Sequence, residues 1–244
     1  MASPDCVEVL ARSDADFAII DCEHGSFGFD SMVNMLRAAD AGGLPALVRV
    51  PDHNQSFIMR VLDAGALGVV IPNLANCDQA RAVASAARYP TGANRGSRGA
   101  CPNTRASWHG TVDWKQFVEW SNANVRVWGI VETLTGVRNI EDILLSGCLD
   151  AIIVGAFDLA QEIGVAGDVL NPKVTELLDH VVDRAQVHQV PVMATLFASS
   201  PEDFSREVER WFKRGVRMFN IGSDKSLISH AIRTHAGMVR RSVA

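Results

Sequence analysis

The sequence predicts an α/β fold, specifically a (β/α)8 TIM barrel that lacks its first strand in this chain. Seven short apolar or β-branched segments alternate with helical patterns along the 244 residues. Each segment is apolar at successive positions, which is typical of parallel strands covered on both faces. The helical segments between them supply the crossovers that a parallel sheet requires. A closed barrel of this type has eight strands, so the pattern is one strand short.

The strand segments recur along the whole chain. They are FAIID (17–21), PALVRV (45–50), GVVIPN (68–73), VRVWGIVE (125–132), DAIIVG (150–155), VPVMATLF (190–197) and VRMFNIG (216–222). An open doubly wound sheet is the alternative arrangement, but no glycine-rich phosphate-binding fingerprint follows any of these segments. A single domain over residues 1–244 is expected because no linker or low-complexity stretch divides the chain.

The predicted helices carry ordinary start and stop signals. They include PDCVEVLARSDAD (4–16), NQSFIMRVLDAGA (54–66), NPKVTELLDHVVDRAQVHQ (171–189) and SPEDFSREVERWFKRG (200–215). Proline in a first turn and glycine after a last turn are typical of such helix ends. The longest irregular region, residues 90–112, exceeds the usual loop length and is therefore a candidate functional loop.

Composition and charge exclude several classes of partner. The net charge is −5 and no Lys/Arg block occurs, which argues against a nucleic-acid partner and favours a small-molecule ligand. No apolar run approaches about 18 residues and no signal-peptide pattern is found, so we expect a cytoplasmic protein with no membrane partner. The five cysteines are odd in number and widely spaced, which favours reduced thiols over disulfides or a zinc site.

Charged residues follow several predicted strands at their carboxyl ends, where the active sites of TIM barrels lie. They are Asp21, Glu23 and His24, then Arg49, then Glu132 and Asp158. Glu132 and Asp158 follow successive strands, so their carboxylates can converge on one Mg²⁺ or Mn²⁺ ion. The alternative is that each carboxylate only caps the helix after it.

His24 and Arg49 have two interpretations each. A histidine after a strand is often just a hydrogen-bonded surface or core residue, and Arg49 could simply pair with Asp21 or Asp52. Their position at the same rim as two carboxylates favours a functional role. Apolar residues flank Arg49, and an unpaired guanidinium there is costly, so an anionic partner or a substrate oxygen is expected.

Several motifs together resemble the HpcH/HpaI family, the metal-dependent class II pyruvate aldolases. They are IIDCEHG, VRVP, RVLDAGALGVVIPN, ARYPTGANRG, IVET and VGAFDLAQEIG, and they span the chain almost from end to end. The resemblance implies cleavage or formation of 4-hydroxy-2-oxo acids, with pyruvate and an aldehyde as the products of cleavage and a divalent cofactor (Mg²⁺, Mn²⁺ or Co²⁺). The members in question include 4-hydroxy-2-oxoheptanedioate aldolases and 2-keto-3-deoxy-sugar-acid aldolases.

The resemblance also implies roles for individual residues. Glu132 and Asp158 would bind the metal, and His24 would be the acid/base residue with Asp63 as its carboxylate partner. Arg49 would hold the keto oxygen. Backbone amides near Phe157 and Asp158, which open a short helix, would hold the pyruvate carboxylate. A Schiff-base mechanism would instead need a rim lysine, and only Lys225 follows a strand.

Two positions depart from the family pattern. Ile130 stands where relatives commonly carry glutamine, and the bulky Phe157 replaces a small residue of the usual GPADL motif. Two other functions therefore stay open. One uses the same enolate chemistry for citrate synthesis or oxaloacetate decarboxylation, and the other is a barrel that binds a 2-oxo acid without catalysis.

Asp63 and the loop at 90–112 should lie on the opposite, amino-terminal face of the barrel, away from their own site. If they act in catalysis, they enter from an adjacent subunit, which predicts a homo-oligomer with active sites at an interface. Arg95 and Arg98 would then bind distal polar groups of the aldehyde. The family resemblance implies a hexamer, a trimer of dimers. The alternative is a plain helix terminus at Asp63 and a solvated loop.

Overall fold

Seven parallel strands form one curled sheet in the computed structural model, which describes residues 1–92, 94–198 and 200–243. The strands are β1 (Ala18–Asp21), β2 (Ala46–Arg49), β3 (Gly68–Ile71), β4 (Arg126–Val131), β5 (Ala151–Val154), β6 (Val192–Thr195) and β7 (Met218–Asn220). Their order in the sheet is the order in the chain. The seven strand predictions are confirmed. Among the described residues no pairing joins β7 to β1, so the sheet is barrel-like but not a closed eight-stranded barrel.

Helices connect the strands, as the alternating pattern predicts. They are α1 (Pro4–Ala11), α2 (Phe29–Gly42), α3 (Gln55–Asp63), α4 (Cys77–Ala87), α5 (Trp114–Asn124), α6 (Leu134–Arg138), α7 (Ile140–Leu145), α8 (Ala156–Glu162), α9 (Pro172–Val187), α10 (Pro201–Lys213) and α11 (Asp224–Ser242). Side-chain caps begin several of them: the Asn54 side chain accepts from the Phe57 amide and the Ser200 side chain from the Asp203 amide.

The sheet buries apolar side chains on both faces. The outer face packs against the helices and forms the larger core, whereas the concave face forms a smaller one. This inner cluster consists of Leu47, Val70, Trp128, Ile130, Ala151, Ile153 and Met193, with Phe17, Ile19 and Met218 packed against it. The Phe17 and Trp128 rings meet edge to face at 5.4 Å. The concave space is therefore filled below the carboxyl ends of the strands.

The inner cluster is followed by charged side chains at the carboxyl ends of the strands, because side chains alternate between the two faces of a strand. Along a strand, residues two apart share a face. The inner position after Ile130 is Glu132, and the one after Leu47 is Arg49. The same two-residue period that packs the barrel-like interior thus places charged side chains at its mouth.

The loop at 90–112 is fastened to the helices beside it. It contains a short 3₁₀ segment, Arg105–Gly110. The Arg105 guanidinium donates to the Ala64 carbonyl oxygen at 2.8 Å and also pairs with Asp40. The loop therefore packs on the ends of α2 and α3 and is not simply solvated.

Helix α11 stands apart from the rest of the chain. None of its residues is buried, and its exposed apolar side chains include Leu227, Ile228, Ile232, Met238 and Val239. Across the part of the chain that the structure describes, no helix is both long enough and apolar enough to cross a bilayer. The apolar side of α11 is thus left uncovered by its own chain.

Replacement of Trp128 by alanine tests the inner cluster. We expect Trp128→Ala to lower the free energy of unfolding by about 3–5 kcal/mol, because it leaves a cavity among closely packed rings. Trp120 is half-exposed on α5, and we expect Trp120→Ala to cost about 1 kcal/mol or less. Urea denaturation of both variants makes the comparison. Equal losses would show that the concave side of the sheet is not a packed core.

Candidate active site at the mouth of the sheet

Asp21 and Arg49 form a doubly hydrogen-bonded pair at the carboxyl ends of two neighbouring strands. Arg49 donates from Nε to Asp21 Oδ1 at 2.8 Å and from Nη2 to Oδ2 at 2.6 Å. Burial alone would raise the pKa of Asp21, but the bonds from Arg49 and two backbone amides hold it below its usual value. Asp21 therefore stays ionised and fixes the guanidinium plane across the mouth.

Glu23 extends this network towards His24. Its Oε2 lies 3.0 Å from Arg49 Nη1 and 3.7 Å from His24 Nε2. The Glu23 side chain is largely buried, whereas that of His24 is 71% exposed. Burial raises the pKa of Glu23 even though Arg49 and His24 oppose the shift. His24 thus stands at the open edge of the site, with most of its side chain exposed.

Glu132 is the one carboxylate of the mouth that is almost fully buried, at 5% exposure. The Asn73 backbone N–H donates to the Glu132 Oε1 at 2.6 Å. Asn73 presents that amide from a left-handed backbone conformation (φ 53°), which asparagine tolerates better than most residues. Gly155 packs against the other side, since a Cβ there would lie 2.3 Å from the Glu132 Cβ. Glycine is therefore required for Glu132 to keep its place.

Asp158 comes from the first turn of α8, directly after β5, and its charge acts on Glu132. Burial raises the pKa of Glu132 to about 7, and the Asp158 and Glu23 carboxylates add to the shift against the opposing Asn73 amide and Arg49. Carboxylates from three parts of the chain thus crowd one space beside a single guanidinium. The local potential is negative and favours a cation.

This donor set fits a hard divalent cation. Carboxylate oxygens are the protein ligands that Mg²⁺ and Mn²⁺ prefer, and Mg²⁺ commonly uses one or two of them while water and substrate complete its shell. In the described ranges, no group of three or more His, Cys, Asp or Glu side chains forms a complete cage. Glu132 and Asp158 therefore fit as a partial ligand set, and the metal assignment stays a prediction.

The sequence reasoning also selected residues that the structure places elsewhere. Asp63 ends α3, and its Oδ1 accepts from Arg98 Nη2 at 2.7 Å. Arg98 is buried, bonds to Ser121 Oγ at 3.2 Å, and lies 4.4 Å above the Tyr89 ring. Arg95 is exposed in the same loop. Within one chain, Asp63 is thus bound to Arg98 and does not meet His24, so roles for these residues in the site depend on a second subunit.

Sequence reasoning missed Asn73 and Gly155. Asn73 follows a proline directly after a strand, a signal for a turn but not for a bond to Glu132. Gly155 follows β5 and reads as a helix start. Both roles depend on contacts between neighbouring strands, which spacing alone does not reveal.

The fold and the mouth define a barrel-like α/β protein with an acid-rich site at the carboxyl ends of its strands. The chain belongs to the HpcH/HpaI aldolase/citrate lyase family, whose model matches residues 1–231. The resemblance noted from the sequence motifs is confirmed.

Particular relatives narrow the comparison. The 5-keto-4-deoxy-D-glucarate aldolase of Enterobacter sp. (strain 638) is 29% identical over 233 residues, which cover 95% of this chain and 86% of the relative. An HpcH/HpaI family protein from Burkholderia cenocepacia J2315 superposes with a TM-score of 0.90 at 28% identity, covering 98% of this chain and 91% of that one. The citrate synthase SbnG gives 0.86 at 26% identity, covering 99% and 91%.

The raised pKa of Glu132 makes the metal-free protein sensitive to pH. A carboxyl group titrates near 4.5 when unfolded and at about 7 here, so its ionisation destabilises the fold increasingly between those two values. In EDTA, Glu132→Gln should therefore gain stability over the wild type as pH rises through this window, by on the order of 3 kcal/mol above pH 7. Thermal denaturation of both proteins between about pH 4 and pH 9 measures this difference in stability.

Glu119→Gln supplies the control for charge, because Glu119 is exposed on α5. Its stability difference from the wild type should stay flat with pH. If the stability difference between Glu132→Gln and the wild type is also independent of pH, the pKa of the buried carboxyl group is not raised in the folded protein.

Proposed function

We propose that this protein is a metal-dependent aldolase that cleaves or forms 4-hydroxy-2-oxo acids, with pyruvate or a related 2-oxo acid and an aldehyde as the products of cleavage. The observation that carries the proposal is the buried Glu132 carboxylate, set beside Asp158 and Glu23 with Arg49 across the mouth. Like charges brought together at a buried position fit a site that binds a cation. Family membership supports the reaction class.

Glu132 and Asp158 would hold the divalent ion. Such an ion supplies positive charge that stabilises the negative charge that develops on the keto oxygen during carbon–carbon cleavage. Arg49 retains N–H groups beyond those given to Asp21 and Glu23, and these can donate to the same oxygen. Because Asp21 holds the guanidinium rigidly, this donation needs little reorganisation.

The carboxylate of the oxo acid would bind at the start of α8. Gly155 is the N-cap there and gives no side-chain hydrogen bond to the first turn. The amides near Phe157 and Asp158 can therefore donate to an anion, which the positive end of the helix also favours.

His24 would move the proton. In cleavage His24 accepts the proton of the C4 hydroxyl. The C3–C4 bond then breaks, and the electron pair of that bond passes into the oxo acid, which becomes an enolate. Protonation of C3 then releases pyruvate. Glu23, 3.7 Å from His24 Nε2, stabilises the imidazolium that forms.

The chain would act as a homo-oligomer, with a hexamer built as a trimer of dimers as the assembly that the family resemblance implies. Two features support association. Helix α11 has no buried residue, and Ile228, Ile232 and Val239 line one side of it. The loop at 90–112 exposes Trp108, whose backbone is left-handed (φ 50°). Asp63 and Arg95 would reach a neighbouring mouth only through such contacts.

Citrate synthesis is the second candidate, favoured by the likeness to the citrate synthase SbnG. It would use the same enolate-stabilising groups, with the enolate formed from an acetyl donor and oxaloacetate as the electrophile. Release of citrate in place of a 4-hydroxy-2-oxo acid would identify it, and oxaloacetate decarboxylation would release pyruvate with no aldehyde supplied.

Metal removal tests the aldolase proposal. We expect EDTA to abolish pyruvate release from 4-hydroxy-2-oxo acids and Mn²⁺, Co²⁺ or Mg²⁺ to restore it. Glu132→Ala and Asp158→Ala should each lose metal retention, measured by titration calorimetry, because each removes a ligand. His24→Ala should retain the ion and lose about 10²–10⁴-fold in kcat, the range for loss of a general acid or base.

Glu176→Ala, on the exposed surface of α9, is the matched carboxylate control and should behave as the wild type. A fully active His24→Ala enzyme would refute the acid/base assignment. Activity that survives EDTA, together with inactivation by borohydride in the presence of pyruvate, would point to Lys225 and imine chemistry.

Lysine substitutions on α11 test the assembly. We expect the double variant Ile228→Lys/Ile232→Lys to reduce the oligomer to smaller species in light scattering coupled to size exclusion, because charges replace an apolar contact surface. His230→Lys/Thr234→Lys places the same residues on the opposite side of the helix and should leave the assembly intact. An unchanged mass for the first variant would exclude α11 from the interface.

A further inference from the structure

Two phenylalanine rings meet at one side of the mouth. Phe157 precedes Asp158 in the first turn of α8, and Phe197 follows β6. Their rings pack edge to face with centroids 5.1 Å apart. Phe197 packs on the larger core, whereas Phe157 is 54% exposed. A half-exposed apolar ring therefore lies at the carboxyl end of β5, next in the chain to a carboxylate assigned to the metal.

A carboxylate on α10 fixes this pair in place. Glu207 Oε2 accepts from the backbone amides of Phe197 and Ala198, both at 3.0 Å. Hydrogen bonds between a carboxylate and amides are among the stronger ones in proteins. Glu207 thus holds the backbone that carries the Phe197 ring against Phe157.

The space behind the pair allows little movement. The cavity lined by Phe197, Glu207 and Trp211 has a volume of about 10 Å³, enough for roughly one water molecule. Phe197 therefore has little room on that side to move away from Phe157. Its position is set by packing as well as by Glu207.

Two polar side chains at the ends of the neighbouring strands, Thr195 and Asn220, already bond within the described part of the chain. Thr195 Oγ1 accepts from Asn220 Nδ2 at 3.5 Å, and Asn220 Oδ1 accepts from the Gly222 amide at 3.1 Å. A hydroxyl group placed against the rings would give up water, and the ring carbons offer it no comparable hydrogen bond. An alkyl or aryl group in the same position would instead be removed from water at no such cost.

We propose that Phe157 and Phe197 form an aromatic wall on the aldehyde side of the pocket, positioned by Glu207, that selects aldehydes with an apolar substituent over polyhydroxylated ones. This inference rests on the proposed aldolase function and deepens it. Glu132, Asp158 and Arg49 are assigned to the oxo acid and His24 to the C4 hydroxyl, so the substituent on C4 meets the remaining surface, which includes the exposed ring of Phe157. Phe157 and Phe197 contact the substrate directly, and Glu207 is a positioning residue.

Two three-carbon aldehydes, propanal and glyceraldehyde, test whether the aromatic wall prefers an apolar substituent over a hydroxylated one. The readout is the ratio of their kcat/KM values in addition to pyruvate with Mn²⁺, in which any shared effect on enolate formation cancels. We expect Phe157→Ser and Phe197→Ser to lower the propanal/glyceraldehyde ratio by about 10-fold or more, the discrimination typical of an apolar contact. Phe157→Leu should retain most of it. Phe157 is half-exposed, so its replacement does not threaten folding.

The Glu207 variants separate positioning from general stability. Glu207→Ala should raise KM for propanal and lower the ratio, whereas Glu207→Gln, which keeps an acceptor oxygen, should recover much of both. Phe212→Ser is the matched control, because Phe212 is 53% exposed on α10 and its ring lies under Arg217, away from the Phe157 contact. It should leave the ratio unchanged.

Exchange of the pyruvate methyl protons in D₂O distinguishes two kinds of failure. If the wild type with Mn²⁺ exchanges protons but the ratio is the same in all phenylalanine variants, the wall is refuted and the aldolase site stands. If the wild type neither exchanges protons nor adds either aldehyde, the proposed function fails and the wall fails with it.

Discussion

The mouth of this protein depends on one buried carboxylate. Glu132 ends an otherwise apolar strand, and an ionised group so far from water is costly unless partners compensate for it. The Asn73 amide supplies one partner, and the absence of a side chain at Gly155 leaves the room. Asp158 and Glu23 raise the cost further. Protonation of Glu132 or positive charge beside it relieves this cost, which gives the proposed cation a physical reason to bind there.

The fold could be predicted from the sequence because its signals are local. Continuous apolar runs mark the strands, and the two-residue period of a strand places Arg49 and Glu132 above the inner cluster. The sequence predicts an eight-stranded barrel with one strand not found, and in the described residues no pairing closes the seven-stranded sheet. What could not be predicted is which groups meet across neighbouring strands. The left-handed turn at Asn73 and the close approach at Gly155 are products of tertiary packing, and the isolated sequence shows only a polar residue and a glycine.

The loop at 90–112 shows the limit of reasoning from residue type. Arginines in a long loop suggest substrate contacts, and the sequence predicts such contacts for Arg95 and Arg98 at the site of an adjacent subunit. Arg98 instead points into its own chain, where Asp63, Ser121 and the Tyr89 ring surround it. A buried arginine paired with a carboxylate fixes the loop against α3. The same bond orients Asp63, so a neighbouring subunit would meet a rigid surface there and not a flexible one.

The bond between Asp21 and Arg49 has a consequence for how the chain finds its fold. These residues are also partners in the register of β1 and β2. A slip of one residue would turn Asp21 towards the apolar outer layer and separate it from its guanidinium, leaving both charges unpaired. The correct register of the two strands is therefore stabilised by an ion pair that the slipped register lacks. The Asp21–Arg49 pair of the mouth thus also favours the correct register of β1 and β2 at the edge of the sheet.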